Sequence, residues 1–161
     1  TVYSGQKWVE SKGEDKYRRA VYTYLKRTSP YPSFMTFDSG SREVCTIRRT
    51  VTNTPLQALI TLNDPVYVEA AYHLAKTMKT GSDLDESIGK GYEKATQSII
   101  KGETLTVLKE LYQTSLAEFE NNMEAARDLL HFEDVDSSAE LAALTVVASA
   151  IMNLDEFLTK A

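Results

Sequence analysis

Two proline-led helix starts lie close together in this chain, and they constrain its fold more than any other feature. Thr54-Pro55 and Asp64-Pro65 each place a side-chain acceptor at an N-cap and a proline at the first helical position. A proline is tolerated there because the N–H that it lacks has no partner inside the helix. The pattern predicts two consecutive helices, over residues 55–62 and 65–80.

The periodicity of apolar residues predicts that the rest of the chain is also helical. We find no convincing strand alternation and no internal repeat, so the predicted fold is all-α, an irregular bundle of about seven helices. A capping box, Ser137-x-x-Glu140, is expected to open one of them, and Gly102 is expected to close another. The further predicted helices span residues 15–28, 84–101, 104–120, 123–131, 137–151 and a last turn from 153.

Length and charge limit the organisation of the chain and its partners. At 161 residues we expect one helical domain, with an N-terminal arm (1–13), an arginine-rich half (14–80) and an acidic half (81–161). The net charge of −5 divides into +5 over residues 1–63 and −10 over 64–161. This balance disfavours a nucleic-acid partner, and no apolar run is long enough for a membrane span. Because the chain begins at Thr1 rather than Met, we expect a fragment of a larger protein.

The segment between residues 30 and 53 is long, polar and without clear periodicity. Its arginines, Arg42, Arg48 and Arg49, are expected to be buried and paired, and to pin an ordered loop to the helices. The only cysteine, Cys45, is expected to be a small buried residue. The residues expected to form this structural motif are Asp38, Glu43, Asn53, Pro55, Asn63, Pro65, Asn153 and Asp155.

The same arginines allow an alternative, which is an anion-binding site. Guanidinium groups bind carboxylate, sulfate or phosphate in a bidentate manner, and helix N-termini add free N–H donors. Such a site would combine Arg42, Arg48 and Arg49 with the helix starts at Thr54 and Asp64.

Catalytic and metal sites have weaker support, and we assign no catalytic residue. Asp38 and Glu43 form a conceivable acid/base pair, but nearby arginines would keep both carboxyl groups ionised. Glu69 and His73 share a helix face, yet zinc requires three or four ligands. Most aromatic residues, including Tyr17 and Tyr24, fall on predicted core stripes. Three aromatic residues lie off these stripes and are expected to contact another domain, namely Tyr22, Tyr31 and Phe34.

Two blocks of this sequence resemble a known family. They are YRRAVYTYLKRTSPYPSFMTFDSGSREVCTIRRTVTNTPLQALITLNDP, from Tyr17, and IMNLDEFLTK near the C-terminus. Together they resemble the C-terminal planctomycete cytochrome-c-associated domain, PSD one, or domain of unknown function fifteen fifty-three. The resemblance implies a secreted or periplasmic protein of the cell envelope, with a cytochrome-c-like domain upstream. It implies no catalytic residues, because the family has no assigned reaction.

The resemblance and the residues together give a functional expectation. We expect a non-enzymatic docking or scaffold domain whose partners are the upstream domains of the same polypeptide. The chain has no C-x-x-C-H motif, so haem is expected only on an upstream domain. One alternative is part of a composite enzyme site acting on an acidic or sulfated polysaccharide. Another is a redox partner that contacts a haem edge without binding haem.

Overall fold

Helices account for the regular secondary structure wherever the chain is described. The computed structural model describes residues 11, 13–24, 31–40, 45, 47–48, 52–131 and 138–159. Within these ranges it contains no strand, which confirms the all-α prediction. Two short 3₁₀ turns, Gly13–Tyr17 and Ala20–Tyr22, precede α1 (Pro32–Thr36), α2 (Pro55–Asn63), α3 (Pro65–Met78), α4 (Leu84–Thr96), α5 (Gly102–Asn121), α6 (Met123–Leu129), α7 (Ala139–Met152) and α8 (Asp155–Leu158).

The two proline-led helices begin as the sequence predicts. Thr54 caps α2 by accepting a hydrogen bond from the Gln57 backbone N–H, and the Gln57 side chain accepts one from the Thr54 N–H. This reciprocal capping box satisfies two N–H groups that the helix itself leaves unpaired. Asp64 caps α3 by accepting from Val66 N at 2.9 Å.

The core is built around α7, whose sequence AELAALTVVASAIM is apolar on almost every side. A helix of this kind is stable only when other helices surround it. It packs chiefly against α3 and α5, with α4, α6 and α2 completing the enclosure. Its buried residues include Leu141, Ala142, Leu144, Val147, Ala148 and Ile151.

The predicted helix over residues 15–28 is wrong in its described part. Residues 13–24 form the two 3₁₀ turns, and the predicted stripe residues Tyr17, Val21 and Tyr24 are 60%, 70% and 72% exposed. Residues 25–30 lie outside the described part of the chain. A helix this short gains most of its stability from packing its apolar stripe, and here the stripe is not packed.

Several other predicted boundaries are also corrected. Residues 30–53 were expected to be irregular, but they include the short helix α1. Helix α4 ends at Thr96, because Gln97 adopts the left-handed conformation (φ 59°) that commonly ends a helix. Gly102 then begins α5 instead of closing the preceding helix. Ile99, which falls inside the helix predicted over residues 84–101, is exposed between α4 and α5.

The cap of α7 also differs from the prediction. Ser138 is the N-cap, and its hydroxyl accepts from Leu141 N at 3.2 Å. The predicted capping residue, Ser137, lies outside the described residues. Two adjacent serines give the same sequence signal at neighbouring positions, so the pattern alone does not separate them.

Candidate functional site

A network of polar side chains joins the segment before α2 to the end of α7, with Gln57 and Thr61 buried and Asn53 and Asp155 exposed. We call this network the polar seam. Its members are Asp38, Thr52, Asn53, Gln57, Thr61, Asn153 and Asp155. It brings together residues that the sequence analysis selected for the structural motif, together with Thr52, Gln57 and Thr61, which it did not select.

Asp38 ties α1 to the chain just before α2. Its Oδ2 accepts hydrogen bonds from the backbone N and the Oγ1 of Thr52, both at 2.7 Å. Asp38 adopts a left-handed backbone conformation (φ 55°), which aspartate tolerates better than most residues. The carboxylate therefore acts as an internal acceptor that closes the loop onto itself.

Gln57 is the most heavily used side chain of the seam and is only 2% exposed. Its Nε2 donates to the Thr36 carbonyl oxygen (2.9 Å) and to Thr52 Oγ1 (3.3 Å), while its Oε1 accepts from Thr54 N (2.8 Å). One amide thus joins α1, the segment before α2, and the N-cap of α2. A buried amide with these partners fixes the orientation of the helix that carries it.

The seam reaches across the sequence to the C-terminal helices. The Thr61 hydroxyl, 1% exposed, donates to Asn153 Oδ1 at 3.0 Å, and Asn53 Nδ2 donates to Asp155 Oδ1 at 2.9 Å. These pairs join residues 92 and 102 positions apart. They connect the two sequence blocks that carry the family resemblance.

The buried part of the seam is satisfied by the chain itself. No buried side-chain nitrogen or oxygen in the described ranges lacks a hydrogen-bond partner. A general acid, general base or nucleophile must be able to reach a substrate, whereas Asp38 and Gln57 are engaged with the chain itself. The seam is therefore organised to hold structure.

The predicted anion site is only partly placed. The acceptor side chains of Thr54 and Asp64 occupy the N-termini of α2 and α3 as caps. Arg48 is exposed, so the prediction that it is buried is wrong. An irregular segment places its charged groups in water unless tertiary contacts bury them. Arg42, Arg49 and Glu43 lie outside the described residues.

The remaining residues of the predicted structural motif make local contacts within the helices. Pro55 and Pro65 occupy the first turns of α2 and α3, and Asn63 Nδ2 donates to the Leu59 carbonyl at 2.8 Å. Cys45 is exposed, so the expectation that it is buried is wrong. It lies in irregular chain, where its apolar character does not bring it into a core.

No metal centre is found in the described ranges. No group of three His, Cys, Asp or Glu residues there could hold an ion. Glu69, considered with His73 as a ligand pair, accepts a hydrogen bond from the Tyr17 hydroxyl at 2.6 Å.

The most unusual feature of the site is the orientation of α2. Its polar residues Gln57 and Thr61 are buried, whereas its leucines, Leu56, Leu59 and Leu62, are 54%, 57% and 48% exposed. The predicted helix over residues 55–62 is apolar through Leu56, Leu59, Ile60 and Leu62, and its periodicity alone does not show that the leucines face outward. The available signal was the pair Gln57 and Thr61, four residues apart on one helix face and following a Thr-Pro cap. We call Leu56, Leu59, Leu62 and the exposed Val66 of α3 the leucine row.

An aromatic group packs α1 onto α3 beside the seam. Phe37 stacks on Tyr67 with ring centroids 6.1 Å apart, and Tyr31 meets Phe34 edge-on at 5.7 Å. Burial, and then the negative charge of Asp64, raise the pKa of Tyr67 above its usual 10.0. Of the aromatics expected to contact another domain, Tyr31 and Tyr22 are exposed, whereas Phe34 is half-buried.

None of the described helices is both long enough and apolar enough to cross a membrane.

Comparison with known proteins gives one finding. A family model, PSD1, described as "Protein of unknown function (DUF1553)", matches residues 2–112. The matched span includes Asp38, Gln57 and the whole leucine row. Searches of curated proteins and of solved structures gave no match. Because the matched span covers well over half of the 161 residues, the chain belongs to the PSD1 (DUF1553) family of proteins of unknown function.

Proposed function

We propose that this chain is a non-enzymatic docking or scaffold domain of a larger exported protein, and that the leucine row is its docking face. The observation that supports the proposal is the inverted orientation of α2. A helix that buries an amide and a hydroxyl while exposing three leucines presents an apolar face held in a fixed position. Exposed apolar patches of a few hundred Å² on a monomer are often functional.

The composition of α2 indicates what the face binds. Residues 55–63 contain no charged side chain, so the centre of the face offers no ionic recognition. The row presents on the order of 350 Å² of apolar surface, about half of what a free partner of standard interface size covers. A domain of the same polypeptide needs less area, because the linker raises its effective concentration to the millimolar range.

The resemblance extends the proposal to the rest of the protein. The partner would be an upstream domain, in an assembly that includes a cytochrome-c-like module and is secreted, periplasmic or otherwise in the cell envelope. Haem would be carried by that module, since this chain has no C-x-x-C-H attachment motif. The domain would then hold its neighbour in place and take no chemical step itself.

The test compares two exposed apolar residues in the full-length protein that contains this domain. Leu59→Glu places a charge in the leucine row, whereas Val107→Glu places one at an exposed site on α5. We expect Leu59→Glu to speed limited proteolysis between this domain and its neighbour by about tenfold, as a released tethered contact would. Val107→Glu should leave the rate unchanged. Equal cleavage of the two variants, both with native circular dichroism, would refute docking through this face.

The alternative is a contribution to an enzyme site for an acidic or sulfated polysaccharide. One observation favours it, which is that Arg48 is exposed and able to reach a ligand. Under this hypothesis Arg48→Ala weakens binding of dextran sulfate well beyond the effect of Lys79→Ala, another exposed cation. If the two variants bind dextran sulfate equally, binding reflects the overall charge of the chain and not a site at Arg48, which would refute this alternative.

A further inference from the structure

The charged residues around the leucine row are acidic. Helix α2 packs on α1, α3 and α7, and the polar seam ties the chain just before it to the start of α8. The sequence has no lysine or arginine over residues 31–40, 52–75 and 138–159, which contain these elements. The same ranges contain carboxylates at Asp38, Asp64, Glu69, Glu140, Asp155 and Glu156. The apolar row therefore lies in negatively charged surroundings.

The neighbouring cations do not cancel this charge. On α3 the first cation is Lys76, ten residues after Val66 and so about 15 Å further along the helix. Before α2 the nearest described cation in the sequence is Arg48, which is exposed and makes no ion pair with a described carboxylate. Arg18 pairs with Asp15 at 2.6 Å.

One carboxylate marks the end of the row at Val66. Asp64 lies at the junction of α2 and α3, two residues after Leu62 and two before Val66. Its Oδ1 accepts from Val66 N at 2.9 Å, and the side chain is half-buried. Among the described residues no cation pairs with it. Its negative charge, after burial, is a cause of the raised pKa of Tyr67.

A second carboxylate marks the end of the row at Leu56. Asn53, three residues before Leu56, donates from Nδ2 to Asp155 Oδ1 at 2.9 Å. Asp155 is the first residue of α8, and both it and the following Glu156 are exposed. Within the described ranges neither forms an ion pair. An exposed carboxylate held by a neutral amide keeps its full charge and further acceptor sites.

We infer that the segment of the upstream domain that docks on the leucine row has an apolar centre and a lysine or arginine near each end, one meeting Asp64 and the other Asp155. This inference rests on the proposed function, because it specifies the partner of the same row. Helix α2 has nine residues and is about 14 Å long. The two cations are therefore about nine residues apart on a helical partner, or about four on a strand. Ion pairs at the rim of an interface fix orientation and partner choice more than affinity.

The test removes each carboxylate charge in the full-length protein. Asp64→Asn and Asp155→Asn each retain the oxygen that accepts the hydrogen bond described above, and asparagine caps a helix about as well as aspartate does. The matched control is Asp83→Asn. Asp83 is the exposed N-cap of α4, and it accepts from Glu86 N at 2.8 Å.

The measurement is limited proteolysis between this domain and its neighbour, at about 0.1 M and about 1 M NaCl. This change in salt shortens the Debye length from about 10 Å to about 3 Å. Each cleavage rate is divided by that of Asp83→Asn at the same salt concentration, which cancels the salt response of the protease. For Asp64→Asn and for Asp155→Asn we expect a ratio of about three at the lower salt concentration, as loss of one exposed ion pair gives. At the higher concentration we expect a ratio near one.

Three results would overturn the inference. A ratio of one or less at the lower salt concentration would mean that the partner places no cation at that carboxylate. A raised ratio that persists at 1 M NaCl would report a structural change and not a lost ion pair. A response from only one of the two variants would contradict a segment with a cation at each end.

The Leu59→Glu variant separates this inference from the docking proposal. If Leu59→Glu speeds cleavage about tenfold while both aspartate variants behave as Asp83→Asn does, docking stands and the charged ends are wrong. If Leu59→Glu leaves cleavage unchanged, the docking face is refuted and this inference falls with it.

Discussion

Replacing Gln57 by methionine tests whether the polar seam holds α2 in its inverted orientation. Methionine has nearly the same length and volume as glutamine, so the variant removes hydrogen bonds and leaves packing largely intact. It deletes the donors to Thr36 O and Thr52 Oγ1 and the acceptor for Thr54 N. The Thr54 hydroxyl still caps α2, so the start of the helix is preserved.

The expected cost follows from the partners that are left behind. Each lost hydrogen bond costs about 1 kcal/mol, and an orphaned half-buried backbone group adds to that cost. Two good bonds at 2.8 and 2.9 Å and a weaker one at 3.3 Å give a loss of about 2–4 kcal/mol in the free energy of unfolding. With a urea m-value of about 2 kcal/mol/M, the midpoint falls by about 1–2 M.

The assay is urea unfolding followed by circular dichroism at the helical minimum. Gln113→Met is the matched control, because Gln113 is an exposed glutamine on α5, where a substitution changes stability by no more than about 0.5 kcal/mol. If Gln57→Met lies within that same range, the amide does not hold the helix, and the reasoning from the buried seam to a fixed leucine row is refuted.

Three further predictions concern other parts of the chain. A Cβ at Gly89 would meet no atom within 4 Å, so Gly89→Ala should stabilise the domain by about 0.5–1 kcal/mol through its higher helix propensity. A Cβ at Gly91 would lie 2.5 Å from Met78 Cγ, so Gly91→Ala should destabilise the domain by about 1–3 kcal/mol. Shifts of the same sign in the thermal unfolding midpoints of the two variants would contradict this prediction. Thr61→Val removes the bond to the end of α7 and should cost about 1–2 kcal/mol in urea unfolding, and no loss would mean that the bond is dispensable. Hydrogen bonds from Lys90 and Ser82 lower the pKa of Glu86 from 4.5 to about 2, so its contribution to stability is present above pH 4.5 and is lost as the pH falls towards 2. An NMR titration of Glu86 with a midpoint near 4.5 would contradict that pKa.

The sequence predicts most of the helices because their signals are local. The caps at Thr54 and Asp64 combine a side-chain acceptor with a following proline, and both are found where expected. The apolar residues of α7 predict a buried helix. Such features depend on a few neighbouring residues, so tertiary contacts reinforce them and do not overturn them.

The errors arise where tertiary contacts decide the outcome. The stripe from Tyr17 to Tyr24 has helical spacing, but a short helix needs a surface to pack on, and the described structure leaves those side chains exposed. The inversion of α2 was missed because periodicity assigns leucines to the core. Only the partners of Gln57 and Thr61, supplied by residues 21 and 92 positions away, reveal which face is buried.

The candidate site follows the same division. Asp38, Asn53, Asn153 and Asp155 were selected as motif residues, and the structure joins Asp38 to Thr52 and links the other three across the seam. No sequence spacing states that residues 53 and 155 meet. Distances between segments so far apart are set by how the helices pack around α7, and a single sequence carries no direct record of that packing.

The energetics of α2 show what its exposed leucine row costs. Leaving three leucines about half exposed forfeits roughly 1 kcal/mol each, or about 3 kcal/mol in total. The seam bonds made by Gln57 and Thr61 return about 1 kcal/mol each, or about 4 kcal/mol in total. The inverted orientation is therefore only marginally favoured over one that buries the leucines. A partner domain that covers the row, as proposed above, would recover the forfeited burial while keeping the seam, and so make the observed orientation the more stable one by a wider margin.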